Sequence, residues 1–430
     1  MPYSDSQQIP GSPHDACIAT VDTDKEMVME CEKSQTRNAG VLKGECLIYF
    51  GPEPWEGLWR NRHQLMSRFA KTNTVFYVEP RTSFKQLWRG ISKGKIGFRE
   101  IFGRMFSVTK EGVYIYHSPK WLPANEKPLF RQTANFFWKW LLLKKTRKLG
   151  AARPIVWLSR PDMVKLVGEF NEKLLVYHVV DEYLGYYGQT AERKEEIKKR
   201  EQLLLKKADV VIVVSNNLKE KKSKFNENTF LVPNAVDYDS YAKPSNIVSK
   251  LPDIKGNIIG YSGLISNRLD VEMLNFLAEK HKEWSFVLVG EVVRDYCEDQ
   301  MARFEKNDNV HFIGRVDVDE LPSVIQSFEV GIIPYKVDLQ ANNVSPLKIY
   351  EYMAAGLPVV TTDFSVAREF DRMVYVCGNA DEFESALMDC IKRGRDVQSH
   401  IMEGKVLAKN NTWDHRVLQI SCIIRNAIRD

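Results

Sequence analysis

Several features are missing from this 430-residue sequence, and each absence removes a class of protein. No run reaches the ~20 uninterrupted apolar residues that a membrane-spanning helix needs. The longest candidate, Phe136 to Leu143, is broken by Lys139 and runs into Lys144 and Lys145. The seven cysteines (Cys17, Cys31, Cys46, Cys297, Cys377, Cys390 and Cys422) are scattered, odd in number and never spaced as CxxC. Such spacing suggests neither a disulfide framework nor a zinc site. No GxGxxG follows a strand-like run, which argues against a dinucleotide-dependent oxidoreductase. The first 44 residues lack an apolar core, so they read as a polar or disordered extension (1–44) and not as a secretory signal. A cytoplasmic protein is expected.

What is present is a globular composition, 44% hydrophobic and 27% charged, which excludes fibrous and wholly disordered chains. At ~150 residues per domain the length predicts two or three domains. The net charge of +5 is unevenly spread: residues 81–150 hold 16 basic and 3 acidic side chains, a local +13, leaving −8 for the rest. Aromatic and aliphatic residues are interleaved with that charge, among them Phe84, Trp88, Ile91, Phe136, Phe137 and Trp140. This pattern suits an anionic membrane surface. A solvated basic face over ordinary core aromatics is the alternative, and no nucleic-acid-binding motif accompanies the charge.

Apolar runs at 46–50, 74–79, 155–158, 174–180 and 210–214 read as buried strands, and a second series follows at 258–261, 286–290, 310–313, 330–334 and 359–361. They lack polar alternation and are separated by amphipathic segments such as 191–207, the signature of parallel strands covered on both faces. The prediction is an α/β protein with two parallel-sheet units, 45–236 and 257–405, joined by a Pro/Ser/Lys-rich linker at 237–256. Residues 406–430 form a final helix expected to cross back to the first unit. Ligands of such sheets bind beyond the carboxyl ends of the strands, so two facing units place function in the cleft between them.

The most informative segment runs from Asn342 to Val360. Ser345 suits an N-cap and Pro346 the first helical position, while Gly356 supplies a stop before the next strand. A helix begun this way presents unpaired N–H groups and a positive dipole end, suited to phosphate. Lys348 in the first turn opposes that dipole unless an anion is bound, and Glu351, about one turn on, can accept hydrogen bonds from a ribose diol. An ordinary capped helix with an exposed Lys348–Glu351 pair, worth ~0.3 kcal/mol, is the competing reading. Three Asp-x-Asp pairs occur, at Asp22/Asp24, Asp237/Asp239 and Asp317/Asp319, the last with Asp319 in a capping position. None reads as a metal-bound diphosphate site, and no metal is expected.

The run Ser-Pro-Leu-Lys-x-x-Glu-Tyr-Met-Ala-Ala-Gly-x-Pro-Val-Val resembles the nucleotide-sugar motif of GT-B glycosyltransferases of group 1 (family 4). Ala-Asp-Val-Val-Ile-Val-Val-Ser (208–215), Val-Pro-Asn-Ala-Val-Asp (232–237), Gly-Tyr-Ser-Gly (260–263), Val-His-Phe-Ile-Gly-Arg-Val (310–316) and Thr412-Trp413 follow the family's order. The resemblance implies two Rossmann-like domains and a UDP- or GDP-linked sugar as co-substrate, with no other cofactor. It also implies that Glu351 holds the ribose and that Ser345, Leu347 and Lys348 hold the diphosphate. Gly263 and Arg268 would line the other side, and the backbone up to Arg315 would meet the base. Asn343 and Val344 would face the donor sugar. The family's Glu, seven residues, Glu pattern here begins with Asn343, an amide that carries no charge to a developing oxocarbenium ion. The retaining assignment therefore does not follow, and the xanthan-type polysaccharide glucuronosyltransferases are the nearer comparison.

On the acceptor side, the 174–180 run leads directly into Asp181, a carboxylate placed to deprotonate an acceptor hydroxyl or simply to cap a turn. His178 reads as a strand histidine or a contact for sugar hydroxyls. The loop after the first strand contributes Trp59, Arg60 and His63, either as a carbohydrate platform or as packing for the helix that follows. The expectation is a glycosyltransferase acting on a lipid-linked or polysaccharide acceptor at the inner membrane face. A non-catalytic sugar-binding module and a nucleotide-sugar epimerase are the alternatives.

Overall fold

The computed structural model describes residues 40–429 apart from 58, 95–96, 98–100, 125–127, 150–152, 186–187, 245–250, 252–253, 295–296, 339–340 and 342–346. Strands β1 (Cys46–Phe50), β2 (Thr74–Val78), β3 (Phe106–Val108), β4 (Tyr114–Tyr116), β5 (Ile155–Leu158), β6 (Leu174–Val179), β7 (Val210–Val213) and β8 (Thr229–Leu231) form one sheet in the order 3-4-2-1-5-6-7-8. All pairings are parallel except β3 with β4. Strands β9 (Asn257–Ser262), β10 (Trp284–Val289), β11 (Val310–Gly314), β12 (Val330–Ile333), β13 (Val359–Thr362) and β14 (Tyr375–Cys377) form a second, wholly parallel sheet in the order 11-10-9-12-13-14.

The continuous apolar runs have the reason the sequence suggests, since the first sheet is covered on both faces. Leu47 and Tyr49 face one core with Val75, Trp157 and Val176, while Ile48 and Phe50 face another with Phe76, Val156 and Tyr177. The first of these cores is completed from the far end of the chain. The helix Trp413–Arg429 places Trp413, Val417, Ile420 and Ile424 on one stripe and packs them with Leu65, Met66 and Phe69 of the helix Asn61–Phe69. The Val236 N–H donates to the Asn411 carbonyl at 3.1 Å, and the Trp413 N–H donates to the Val236 carbonyl at 3.3 Å, so the two passages between the sheets run bonded side by side.

Some local expectations fail. Asp319 caps no helix: the helix Leu321–Gln326 begins after Glu320, and the Asp319 carboxylate instead meets Lys110 at 3.5 Å. Cys46, Cys297, Cys377 and Cys390 are buried free thiols, but Cys422 is disulfide-bonded, a pairing its spacing does not suggest.

The loop after β1 is a packed element and not an open platform. Tyr77 crosses directly over Gly51, where a Cβ would lie 2.1 Å from its ring, and the Tyr77 hydroxyl donates to the Glu53 carbonyl at 2.7 Å. The Trp55 N–H donates to Glu79 Oε1 at 3.0 Å, and Arg62 pairs with Glu53 at 2.8 Å. His63 is sealed at the centre: its Nδ1 accepts the Arg60 N–H at 2.9 Å and its Nε2 bonds the Trp55 carbonyl at 2.8 Å. Trp59 stacks on its ring at 4.8 Å. The expectation that His63 contacts an acceptor is therefore corrected, because it has no exposed surface and both ring nitrogens are taken. His178 is corrected for a related reason, being 2% exposed and packed beside Trp157. Trp59 and Arg60 remain partly exposed.

Burial and the neighbouring Arg62 charge push the His63 imidazole down to about 4. The unfolded chain, with an ordinary histidine, binds more protons between that value and about 6.5, so this contribution to stability is full above about 6.5 and is lost as pH falls toward about 4. A His63→Gln variant is expected to be less stable at pH 7 but to lose less stability than the wild type between pH 7 and pH 4.5. Urea midpoints measure this, and parallel slopes for the two proteins would remove His63 as the cause.

Candidate functional site

The carboxyl ends of the two sheets meet. Asn216, just beyond β7, donates from Nδ2 to Glu369 Oε1 at 3.2 Å, and Glu369 lies in the turn Ala367–Phe370 that follows β13. On the second sheet this rim carries the helix Leu347–Ala355, whose first turn holds Lys348. Ile349, Tyr350, Tyr352 and Met353 are buried and anchor that helix, and Tyr352 accepts the Ser262 N–H through its hydroxyl at 2.9 Å. Leu347 packs on the core of the first sheet, and the charge of Arg416, whose Nε donates to the Pro233 carbonyl at 2.9 Å, acts on Tyr350. The helix is thus held from both domains.

Lys348 Nζ donates to the Tyr335 hydroxyl at 3.1 Å and lies 5.2 Å from the Tyr261 ring centre. Gly263 sits against it with φ +136°, and a Cβ there would stand 2.7 Å from Nζ and 3.3 Å from the Tyr261 hydroxyl. Only glycine combines that backbone conformation with that clearance. The Arg268 guanidinium lies 5.5 Å from the centre of the Tyr335 ring. Lys348, Arg268 and Gly263, expected to belong to one site, therefore cluster around Tyr335.

Glu351 is half-buried one turn beyond Lys348. Burial pushes its carboxyl up, while the Lys348 charge and a hydrogen bond from Tyr241 pull it down, with a net rise. Arg315 is exposed and ion-paired with Glu291 across neighbouring strand ends. Asn343, Val344 and Ser345 lie outside the described residues, as does the expected N-cap of the helix. Tyr335, Tyr261 and Tyr241 belong to the cluster without having been expected. Tyr335 stands just past the end of β12, a position that itself signals the cleft, whereas Tyr241 comes from the short helix Tyr238–Ala242 inside the region read as a linker.

On the first sheet, Asp181 follows β6 and is half-buried. The turn carrying it is fixed from below by buried charge. Glu182 is 3.6 Å from Lys221 and 3.5 Å from Lys222, and Lys222 reaches Glu201 at 2.9 Å. Tyr183 adds a hydrogen bond from its hydroxyl to the Ser159 carbonyl. A buried lysine between two carboxylates gives little net stability but strongly disfavours any arrangement that separates them. Among the described residues no group of three His, Cys, Asp or Glu side chains is placed to hold a metal ion.

The basic region forms a separate surface. The helix Phe84–Ser92 buries only Leu87 and exposes Phe84, Trp88 and Ile91, Trp88 by 65%. The helix Pro128–Lys148 exposes Phe136, Phe137 and Trp140, with Lys144 Nζ 4.9 Å from the Trp140 ring. Arg81 ties the segments together, donating to the Leu122 and Pro123 carbonyls at 3.0 Å and to Asn135 Oδ1 at 2.5 Å.

Residues 258–393 match the family Glycosyl transferases group 1. A 141-residue stretch is 32% identical to the teichuronic acid biosynthesis glycosyltransferase TuaH of Bacillus subtilis strain 168, covering 32% of this chain and 35% of that protein. The chain thus matches about a third of the length of this curated relative. The sucrose-phosphate synthase of Thermosynechococcus elongatus superposes over 89% of this chain and 98% of its own, with a TM-score of 0.66 and 14% identity. Anabaena HepE in complex with UDP-glucose does so over 89% and 98%, with a TM-score of 0.63 and 15% identity. Identities this low establish the shared architecture alone. The two parallel-sheet α/β domains have the GT-B fold, and the match to the group 1 glycosyltransferase family lies within the second of them.

Proposed function

We propose that the chain transfers a sugar, of hexosyl type, from a nucleotide-diphosphate donor to a hydroxyl group of a glycan acceptor. The observation that carries this reading is Lys348 at the start of its helix, held over a glycine that keeps the space beside it clear. A helix start carries about half a positive charge, and with Lys348 and Arg268 it can stabilise a departing diphosphate without a metal ion. Glu351 is assigned to the ribose, Gly263, Arg315, Ser345 and Leu347 to the remaining donor contacts, and Asn343 and Val344 to the donor sugar. The HepE structure with UDP-glucose supports a UDP-linked donor over a GDP-linked one.

In this reading Asp181 takes the proton from the acceptor hydroxyl. The acceptor oxygen then forms its bond to the anomeric carbon as the carbon–oxygen bond to the diphosphate breaks, releasing the nucleoside diphosphate. Attack on the opposite face inverts the anomeric centre. Residues 45–236 serve as the acceptor domain and 257–405 as the donor domain, with 237–256 and 406–430 as the connections. Trp59 and Arg60 are the surviving acceptor candidates from the first loop.

The acceptor is assigned to a lipid-linked or polysaccharide glycan, supported by the likeness to a protein named for teichuronic acid biosynthesis. The protein would attach peripherally to the cytoplasmic face of the membrane through residues 81–150. The exposed aromatic side chains on two helices, surrounded by basic residues, support this docking.

Glu351→Ala is expected to weaken UDP-sugar binding by at least tenfold with an unchanged far-UV circular dichroism spectrum. Asp181→Asn should bind the donor normally yet lose at least a hundredfold in kcat. Unchanged donor affinity in a folded Glu351→Ala protein would sink the donor assignment, and donor binding with no turnover on any acceptor would favour a binding module. For the membrane, flotation should show binding to vesicles with 30% anionic lipid and little to neutral ones. Trp88→Asp together with Phe137→Asp should abolish it, and equal binding to both vesicle types would refute it.

A further inference from the structure

Tyr335 is absent from every motif in the sequence, yet the donor cluster is built around it. It is 6% exposed and its backbone is fixed on several sides. Thr362 Oγ1 donates to its carbonyl at 2.6 Å, and its ring lies 5.7 Å from that of Phe364. The adjacent Lys336 N–H donates to the Arg268 carbonyl at 2.8 Å. The phenol is therefore a rigid post between two cations that reach it from different elements. Lys348 donates to its oxygen from the helix Leu347–Ala355, and Arg268 lies over its ring from the loop after β9.

We propose that Tyr335 is the positioning residue for Lys348, its hydroxyl holding the ammonium group beside Gly263 where the donor's diphosphate would pass. The inference rests on the donor-site reading above and adds to it the residue that aims the lysine. A lysine carries its charge on a flexible four-carbon stem, and left alone it samples many rotamers. Here the stem is confined by Gly263 on one side, with its Cε 2.5 Å from a Cβ position that the glycine leaves empty. The Tyr335 oxygen then fixes the end. An anion arriving beside Gly263 meets a charge already in place, and the ordering cost of the side chain is met before binding.

The same contact gives the site a pH signature. Burial alone would push the Tyr335 hydroxyl up, but the charges of Lys348 and Arg268 outweigh burial and bring it below the ordinary phenol value. The titratable groups around it are Lys348 and Tyr352 on the helix, with Glu351 acting on Lys348 from the same turn, Tyr261 on β9 and Arg268 on the loop. As pH rises and the phenol loses its proton, the phenolate becomes an internal anion that competes with the diphosphate for Lys348. Donor binding by the wild type should then weaken on the alkaline side for a reason that phenylalanine at 335 removes.

Calorimetric titration with UDP and with GDP, using the wild type, Tyr335→Phe, Lys348→Ala and the double variant, tests this. Tyr335→Phe keeps the ring and its packing, and it should weaken binding of the preferred nucleotide by about tenfold near pH 7, the usual scale for a hydrogen bond to a charged group. The double variant should bind no more weakly than Lys348→Ala alone, because the hydroxyl acts through the lysine. As pH is raised toward the ordinary phenol range, the gap between wild type and Tyr335→Phe should narrow. Wild-type affinity in Tyr335→Phe, additive losses in the double variant, or a constant gap with pH would each overturn the proposal while leaving the donor site in place. If Lys348→Ala also binds normally, or neither nucleotide binds the wild type, the donor-site reading falls with it.

Discussion

The burial of the last helix in the first domain's core is the constraint on which the remaining geometry depends. Trp413, Val417, Ile420, Ile423 and Ile424 come from the far end of the chain, yet they fill the same core as β1, β5 and the helix Asn61–Phe69. At ~1.5–3 kcal/mol for each large apolar side chain buried, the five together are comparable with the net stability of a whole domain. The helix cannot leave without opening that core. The second sheet is therefore held between two passages of chain that are themselves hydrogen-bonded, Val236 to Asn411 and Trp413. Arg416 of the last helix brings its charge next to the site, bonded to the Pro233 carbonyl and acting on Tyr350 of the Lys348 helix.

With the rims fixed in this way, charge is distributed differently on the two sides. On the rim of the second sheet the cations Lys348 and Arg268 surround tyrosines, and among the described residues no carboxylate is bonded to Lys348. On the Asp181 side the lysines are already neutralised by carboxylates, Glu182 and Glu201 around Lys222. Under the function proposed above, positive charge on one rim and charge balanced beneath a carboxylate on the other would suit a transfer reaction with an anionic leaving group. A helix start in isolation would be an ordinary feature of an α/β fold. The glycine opposite the lysine, together with the tyrosine fixing it, separates this helix from the others.

Much of this was legible in the sequence, for identifiable reasons. The ten long strands were readable because each contains a short apolar run, and β1 and β5 occupy the residues the pattern predicts. β3, β4, β8 and β14 were not, since three-residue strands such as Phe106–Val108 are too short to show a period and are defined by their partners. The cluster of Gly263, Arg268 and Lys348 was visible only because a family motif joins residues some eighty positions apart. His63 misled for the opposite reason, while of the two readings of His178 the strand histidine is the one its burial fits. Residue type suggested chemistry, but a histidine can serve as an internal hydrogen-bonding post or a core ring, and backbone partners such as the Arg60 N–H and the Trp55 carbonyl leave no mark in the sequence. Tyr241 was hidden by its setting, a segment whose composition reads as linker.

The uneven charge of the chain takes its meaning from where the basic segment begins. Arg81 follows the end of β2, and the Trp121 stretch follows the end of β4, so the basic segment is entered from the same carboxyl rim that carries the loop after β1 and Asp181. An aromatic side chain such as Trp88 left 65% exposed gains nothing in water, and six large apolar side chains are exposed on two helices linked through Arg81. Had the patch been at the opposite ends of the strands, attachment there would hold the cleft away from whatever the protein docks on. Were the proposed docking to use this rim, it would share one side of the first domain with Asp181, and an acceptor anchored in a bilayer would need only to rise along that face to reach the strand ends. The net charge of +5 understates this, because the acidic remainder of the chain cancels a field that acts locally, within about 8–10 Å of the surface that bears it.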